Sequence, residues 1–319
     1  MKIKTIAIVG CGVIGIGWAG RFLASGFNVI ATDPAKNAEK KLKEGINNAW
    51  PSLKRIGLAK NAKKSNLKFV NTIEEAVKNA DWIQESAPEN ELLKRKLISK
   101  IDSVARKKTI IASSSSGLLP SNIQKNCKYP ERVIVAHPFN PVYILPLVEL
   151  VKGKKTSPRY MSKAKKFFKS IGMRPLIVRK EVEGYIADRL QEALWREALH
   201  IVKKGNATTQ EVDDAIVYGP GVRWAFMGVF LTFHMAGGKE GMKHMLEQFG
   251  PALKLPWTEL KAPTLTNKLR KRLITGTKKQ SNNISVKKLE KQRDDFIIKL
   301  LESFKKKRLA SFPTWNKYK

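Results

Sequence analysis

Ile6-Ala7-Ile8-Val9-Gly10-Cys11-Gly12-Val13-Ile14-Gly15-Ile16-Gly17 is the stretch that decides the fold of this 319-residue chain. The unbroken apolar run reads as a buried parallel strand, and the glycines that follow at GxGxxGxG spacing open a helix. Gly10 permits a tight turn, Gly12 lets a pyrophosphate approach the backbone, and Gly15 lets the helix lie close to the sheet. Free N–H groups at the helix start, around Val13 and Ile14, and the positive end of its dipole attract phosphate. Glycines so spaced also serve plain turns, and an acidic residue downstream sharpens the signal. Asp33 follows the second apolar run, Asn28-Val29-Ile30-Ala31-Thr32, and lies 18 residues after Gly15. A carboxylate there accepts hydrogen bonds from both ribose hydroxyls of NAD and repels the 2′-phosphate of NADP. The alternative role for Asp33 is a turn residue ahead of Pro34. NAD is the expected cofactor.

Working outward, further apolar runs at 67–70, 81–83, 109–112, 132–135, 147–151 and 175–178 are bounded by Gly, Ser, Pro or Asp and read as strands. Helical patterns separate them, so the first part of the chain is expected to be an α/β, doubly wound, Rossmann-type sheet. Between residues 35 and 68 a Lys-rich stretch reads as an inserted helical hairpin, broken near Pro51. From residue 184 the pattern turns helical. Residues 189–203 place Leu190, Ala193, Leu194, Ala198 and Ile201 along one side, and helices are expected at 228–236 and 285–304. The expected division is an NAD-binding domain at 1–183 and a smaller all-α substrate and dimerisation domain at 184–319.

Hydrophobic residues make up 42% of the chain and charged residues 28%, a composition that folds. No stretch approaches the roughly 20 apolar residues that span a bilayer. Met1-Lys2-Ile3-Lys4 runs directly into a strand, without the apolar core and cleavage site of a signal peptide. Two cysteines, Cys11 and Cys127, make no disulfide framework and lack metal-ligand spacing, so a reducing cytoplasm and no metal are expected. The net charge of +34 raises the question of nucleic acid. Distribution argues against it. Residues 151–200 carry 13 Lys+Arg against 5 Asp+Glu, and 251–300 carry 13 against 4, but 201–250 carry 5 against 5. The charge is dispersed over many helices instead of forming one basic stripe with interleaved aromatics. A positive field of this kind helps to collect an anionic dinucleotide.

Ala136-His137-Pro138-Phe139-Asn140-Pro141 begins where an apolar strand ends, the edge at which reactive groups collect in a doubly wound sheet. Histidine suits the removal of a hydroxyl proton because its pKa lies near operating pH. Taken alone, His137 serves structure as often as chemistry. Glu149 stands 12 residues later inside the apolar run Pro146-Leu147-Val148-Glu149-Leu150-Val151. A carboxylate buried there needs a partner, and a return strand beside the first would bring it to His137. Such a pair orients the imidazole and stabilises the imidazolium; the alternative is an inert ion pair.

These features resemble the L-3-hydroxyacyl-CoA dehydrogenase family over nearly the whole length. The glycine loop, the helical insertion, residues 113–118, the His137-Pro138-Phe139-Asn140-Pro141 motif with its following glutamate, and the helical second half all take part. The resemblance implies a His137–Glu149 catalytic dyad, Ser116 against the substrate oxygen, and a homodimer. Gly184-Tyr185-Ile186-Ala187-Asp188-Arg189 resembles the family's passage into its second domain, with Asp188 where the family has asparagine. An amide donates a hydrogen bond that an ionised carboxylate cannot. The expected catalytic set is His137, Glu149, Ser116 and Asp188, and the cofactor set is Gly10, Gly12, Val13, Ile14, Gly15, Asp33 and Glu89.

Residues 219–228 (GPGVRWAFMG), 137–151, 186–197 and Pro256-Trp257-Thr258 resemble the carnitine-oxidising branch of the family. A quaternary ammonium has no N–H to donate and is best held by aromatic faces. Tyr143, Trp224, Phe226 and Trp257 are the expected contacts, near Phe230 and Phe233. The helical spacing of Phe226, Phe230 and Phe233 also fits plain packing. Arg223 has the fork to pair with a substrate carboxylate, or with a neighbouring glutamate. The expected reaction is NAD-dependent oxidation of a 3-hydroxyl, with carnitine or another 3-hydroxy acid or short-chain 3-hydroxyacyl-CoA as substrate.

Overall fold

In a computed structural model, which describes residues 3–225, 228–259, 264, 266–280 and 284–306, the apolar runs become strands of one sheet. They are β1 (Thr5–Val9), β2 (Asn28–Thr32), β3 (Leu67–Phe69), β4 (Trp82–Glu85), β5 (Ile110–Ser113), β6 (Val133–Pro138), β7 (Leu147–Lys152) and β8 (Arg174–Val178). Their order is β3-β2-β1-β4-β5-β6-β7-β8, parallel throughout except for the antiparallel pair β6/β7. The chain leaves β1 for β2 on one side and returns to β4 on the other, which creates a switch point between β1 and β4.

Neighbouring residues of a strand face opposite ways. Ile6 and Ile8 join one core with Trp18, Phe22, Leu42 and Phe168, while Ala7 and Val9 join a second with Ile83, Ile98 and Ile111. Both faces are covered, hence continuous apolar runs instead of alternation. The covering helices are α1 (Val13–Ala24), α2 (Ala38–Ile56), α3 (Ile73–Val77), α4 (Glu91–Val104), α5 (Pro120–Ile123) and α6 (Pro158–Ser170).

The insertion is helical but is not a hairpin. α2 runs unbroken through Pro51, and only a short 3-10 turn at Lys64–Asn66 precedes β3. A proline inside a helix costs about 3 kcal/mol. Leu42, Ile46, Ala49, Trp50 and Leu53 are all buried along α2, and burying each large apolar side chain contributes roughly 1.5–3 kcal/mol. The apolar stripe wins.

Two compact units divide the chain: Met1–Arg189 with Arg293–Lys299, and Leu190–Gln292 with the chain from Leu300. The division lies just beyond the expected boundary at 183. The helices of the later chain are α7 (Ala187–Lys204), α8 (Thr209–Val217), α9 (Pro220–Trp224), α10 (Gly228–Ala236), α11 (Met242–Phe249), α12 (Asn267–Gln280) and α13 (Val286–Lys306). Among the described residues no strand follows β8, and no helix is long and apolar enough to cross a membrane. On α7 the buried positions are Leu199, His200 and Val202. The predicted stripe instead carries Leu190, 63% exposed, and Leu194, 42% exposed.

Candidate active site

The glycine loop joins β1 to α1 at the switch point. Gly10 has φ +96°, and a Cβ there would lie 2.7 Å from the Ser86 carbonyl. A Cβ on Gly15 would lie 1.9 Å from the Gly10 oxygen. Gly12 differs: a Cβ would meet nothing within 4 Å, so open space stands before the exposed start of α1. The first turn of α1, beginning at Val13 and Ile14, contains no acidic residue. Unpaired N–H groups facing room for a phosphate fit a dinucleotide. Asp33, at the end of β2, accepts the Cys11 N–H (2.6 Å) on one oxygen and the Ala35 N–H (2.8 Å) on the other. Those bonds orient its carboxylate and leave lone pairs for ribose hydroxyls. Burial pushes the Cys11 thiol up to about 12, with the Asp33 charge adding to the effect, so Cys11 stays protonated.

His137 and Glu149 are cross-strand partners in the β6/β7 register. The imidazole Nδ1 lies 3.0 Å from Glu149 Oε2, and both side chains are buried. Glu149 Oε1 accepts the N–H groups of Ile186 and Ala187, each at 3.0 Å. With Glu149 as acceptor, Nδ1 carries the proton and Nε2 presents a lone pair. Asp188 Oδ2 lies 3.6 Å from Nε2, so the imidazole stands between two carboxylates. The His137 ring also touches Phe139 and Tyr185, at centroid distances of 4.7 and 5.7 Å.

Ser116 sits in the loop after β5, whose strand pairs in parallel with β6. Both loop and imidazole therefore lie at the carboxyl-terminal end of these two neighbouring strands. Glu89 Oε1 accepts from Ser115 Oγ (2.6 Å) and from the N–H groups of Ser116 (2.9 Å) and Gly117 (3.0 Å). Burial pushes the Glu89 carboxyl up, but the Ser115 bond, the Lys94 charge and the two N–H groups outweigh it. The carboxyl is held below the usual carboxylate range.

Several residues at this end of the sheet escaped the sequence reading. Lys94 is buried and donates to Glu85 Oε1 (2.8 Å) and the Ala87 carbonyl (2.9 Å), with Glu89 at 3.6 Å. The signal was present, because Lys94 shares the buried stripe of α4 with Ile98 and Ile101. A lysine in an apolar stripe calls for a buried carboxylate, here Glu85 at the end of β4. Tyr185, at φ +46°, is fully buried, and its hydroxyl donates to the Leu118 carbonyl (2.7 Å), fastening the Ser116 loop.

The expected substrate contacts divide between the units. Tyr143, in the first, packs on the core and donates its hydroxyl to Asp294 (2.5 Å) on α13. Arg223 and Trp224 lie on α9 in the second, where both are exposed, and Trp257 is 72% exposed. Phe226 lies outside the described residues. Phe230 and Phe233, 84% and 45% exposed, are not core residues of the chain.

Residues 5–182 match the family model of the 3-hydroxyacyl-CoA dehydrogenase NAD binding domain, and residues 184–282 match that of its C-terminal domain. The chain is 57% identical over 305 residues to the L-carnitine dehydrogenase of Bacillus cereus, covering 96% of this chain and 94% of that protein. It is 56% identical over 304 residues to the L-carnitine dehydrogenase of Pseudomonas putida, covering 95% of each. Among solved structures, an NAD+-dependent dismutase, 5-formyl-3-hydroxy-2-methylpyridine 4-carboxylic acid 5-dehydrogenase, is similar with a TM-score of 0.80 at 26% identity, covering 95% of this chain and 99% of that one. The (S)-3-hydroxybutyryl-CoA dehydrogenase of Ralstonia eutropha is similar with a TM-score of 0.64 at 25% identity, covering 86% and 95%. The chain is accordingly an NAD-dependent oxidoreductase. The chain belongs to the 3-hydroxyacyl-CoA dehydrogenase family.

Proposed function

We propose that this protein oxidises the 3-hydroxyl of L-carnitine to 3-dehydrocarnitine, with His137 as general base and Glu149 as its partner. The observation that carries the chemistry is the 3.0 Å contact between His137 Nδ1 and Glu149. It leaves the Nε2 lone pair to take the hydroxyl proton, and the glutamate stabilises the imidazolium that results. Bound NAD supplies the hydride acceptor. Gly10, Gly12, Val13, Ile14, Gly15, Asp33 and Glu89 hold the cofactor, and Ser116 orients the substrate oxygen.

The identity of 57% to an L-carnitine dehydrogenase supports the choice of substrate. So does charge: Asp188, 3.6 Å from Nε2, suits a substrate that brings a cation to the site. Arg223 pairs with the substrate carboxylate, and Tyr143, Trp224, Phe226 and Trp257 offer ring faces to the trimethylammonium. In this reading residues 1–183 bind NAD, and residues 184–319 bind substrate and pair two chains into a homodimer through faces such as exposed Leu190 and Leu194. Two free cysteines fit a reducing cytoplasm.

A short-chain 3-hydroxyacyl-CoA substrate is the second reading, favoured by the family of the matched domains. Initial rates of NAD reduction with L-carnitine, D-carnitine and 3-hydroxybutyryl-CoA, followed by NADH absorbance, separate the two. The proposal expects turnover on L-carnitine to dominate. Turnover confined to the thioester overturns it.

A further inference from the structure

Four side chains beside the glycine loop fix the direction of one hydroxyl by donor counting. An indole nitrogen can only donate. Trp82 Nε1 donates to Gln84 Oε1 (3.3 Å), which sets the orientation of that amide, and Gln84 Nε2 then donates to Ser114 Oγ (2.8 Å). Trp18 Nε1, from α1, donates to the same oxygen (3.1 Å). Both lone pairs of the Ser114 hydroxyl are thereby taken, so its own proton must go to another acceptor. Ser86 Oγ stands 2.9 Å away. Ser86 is thus the acceptor in that pair, and its own proton is directed elsewhere.

The position of Ser86 says where. It is the first residue after β4, half-buried, with its N–H on the Val9 carbonyl (2.7 Å) and its backbone against Gly10. That is the switch point between β1 and β4, where doubly wound sheets take their ligand. Among the described residues Ser114 is the partner of the Ser86 hydroxyl. We propose that Ser86 Oγ donates a hydrogen bond to an acceptor oxygen of the bound dinucleotide. Trp18, Trp82, Gln84 and Ser114 act behind it as positioning residues that hold the proton outward.

The test is calorimetric titration of the full-length protein with NADH and no substrate, so it is independent of which alcohol is oxidised. Ser86→Ala is expected to raise the NADH Kd about 3- to 30-fold, and Ser86→Thr, which keeps the hydroxyl, to restore it to within about 3-fold. Ser86→Cys, close in size and a weak donor, is expected to follow alanine and gives the same answer should the alanine variant fold poorly. Ser114→Ala lets the Ser86 hydroxyl rotate and orphans the Trp18 and Gln84 donors, so it is expected to lower the apo Tm and to weaken NADH binding by clearly less than Ser86→Ala does. An unchanged Kd in Ser86→Ala and Ser86→Cys overturns the proposal. So does a loss in Ser114→Ala as large as that in Ser86→Ala, because the effect would then belong to packing of the network.

Discussion

Replacing Glu149 by glutamine changes one atom type at the centre of the site, and the structure says which way the amide must turn. Glu149 uses Oε1 to accept two backbone N–H groups and Oε2 to meet His137. If the glutamine aims its NH2 group at Ile186 and Ala187, donors face donors and two N–H groups lose their partner. Each orphaned group costs about 1–3 kcal/mol where buried. The oxygen therefore stays on the two N–H groups and the NH2 group faces His137. Nδ1 must now accept, so the ring proton moves to Nε2, where it blocks proton uptake from substrate. The fold keeps its hydrogen bonds; the chemistry loses its base.

The size of the effect follows from the same inversion in serine proteases, where exchanging the buried carboxylate for an amide lowers turnover about 10⁴-fold. For Glu149→Gln we expect kcat to fall about 10³- to 10⁴-fold, equivalent to roughly 4–5.5 kcal/mol of barrier. The NADH Kd should hold within about 2-fold, because no cofactor contact changes. Steady-state rates with L-carnitine give kcat, and ¹⁵N-histidine spectra report which nitrogen of His137 carries the proton. A kcat within about tenfold of the parent, with the proton still on Nδ1, refutes the reasoning.

The glycine loop yields a contrasting pair. Gly12→Ala should fold normally yet bind NADH at least about tenfold more weakly by calorimetry, whereas Gly15→Ala, with its Cβ 1.9 Å from the Gly10 oxygen, should lose stability in a thermal melt. For Glu89, the depressed carboxyl contributes stability that is present above the ordinary carboxylate range and lost as pH falls through its lowered pKa. Melting curves from pH 7 to pH 3 should show Glu89→Gln losing less on acidification than the parent. Asp188→Asn removes the charge 3.6 Å from His137 Nε2. It should narrow the preference for L-carnitine over 3-hydroxybutyrate about tenfold in kcat/KM, and an unaltered ratio would exclude a role in recognising a cation. Trp224→Ala should raise the carnitine KM several-fold with NADH affinity unaltered.

The parts of this molecule legible from sequence are those in which one rule dominates. Continuous apolar runs became strands because both faces of the sheet are covered, and the glycine spacing marked a turn that only small residues allow. What escaped depends on competition or on what is absent from a single chain. Pro51 argued for a break, and the burial of Trp50 and Leu53 overrode it. Periodicity on α7 showed that Leu190 and Leu194 share a side, but periodicity cannot say whether that side is covered. Lys94 and Glu85 lie on separate elements, and only the fold reveals that the buried lysine has found its carboxylate. The direction of the Ser86 hydroxyl rests on a chain of donors from one strand, one helix and the residue that follows a second strand, which no local pattern contains.

The His137–Glu149 contact was predictable for a reason that goes beyond motif spacing. Only residues 139–146 separate β6 from β7. A parallel return needs a crossover of a dozen or more residues, so β7 must come back antiparallel. In that arrangement a slip of one residue turns every side chain to the other face of the sheet, and Glu149 would leave the imidazole altogether. Something must therefore hold the hairpin to its length. Arg21, buried in α1, donates from Nε to the Val142 carbonyl (2.8 Å) and from Nη2 to the Leu145 carbonyl (3.1 Å), both in the β6–β7 connection. Burial lowers its pKa to about 10, still well above neutral pH, so the guanidinium stays charged and keeps its donors. The helix that begins at the glycine loop thus also grips the hairpin that pairs His137 with Glu149, which ties the glycine loop and the proposed proton acceptor to one element.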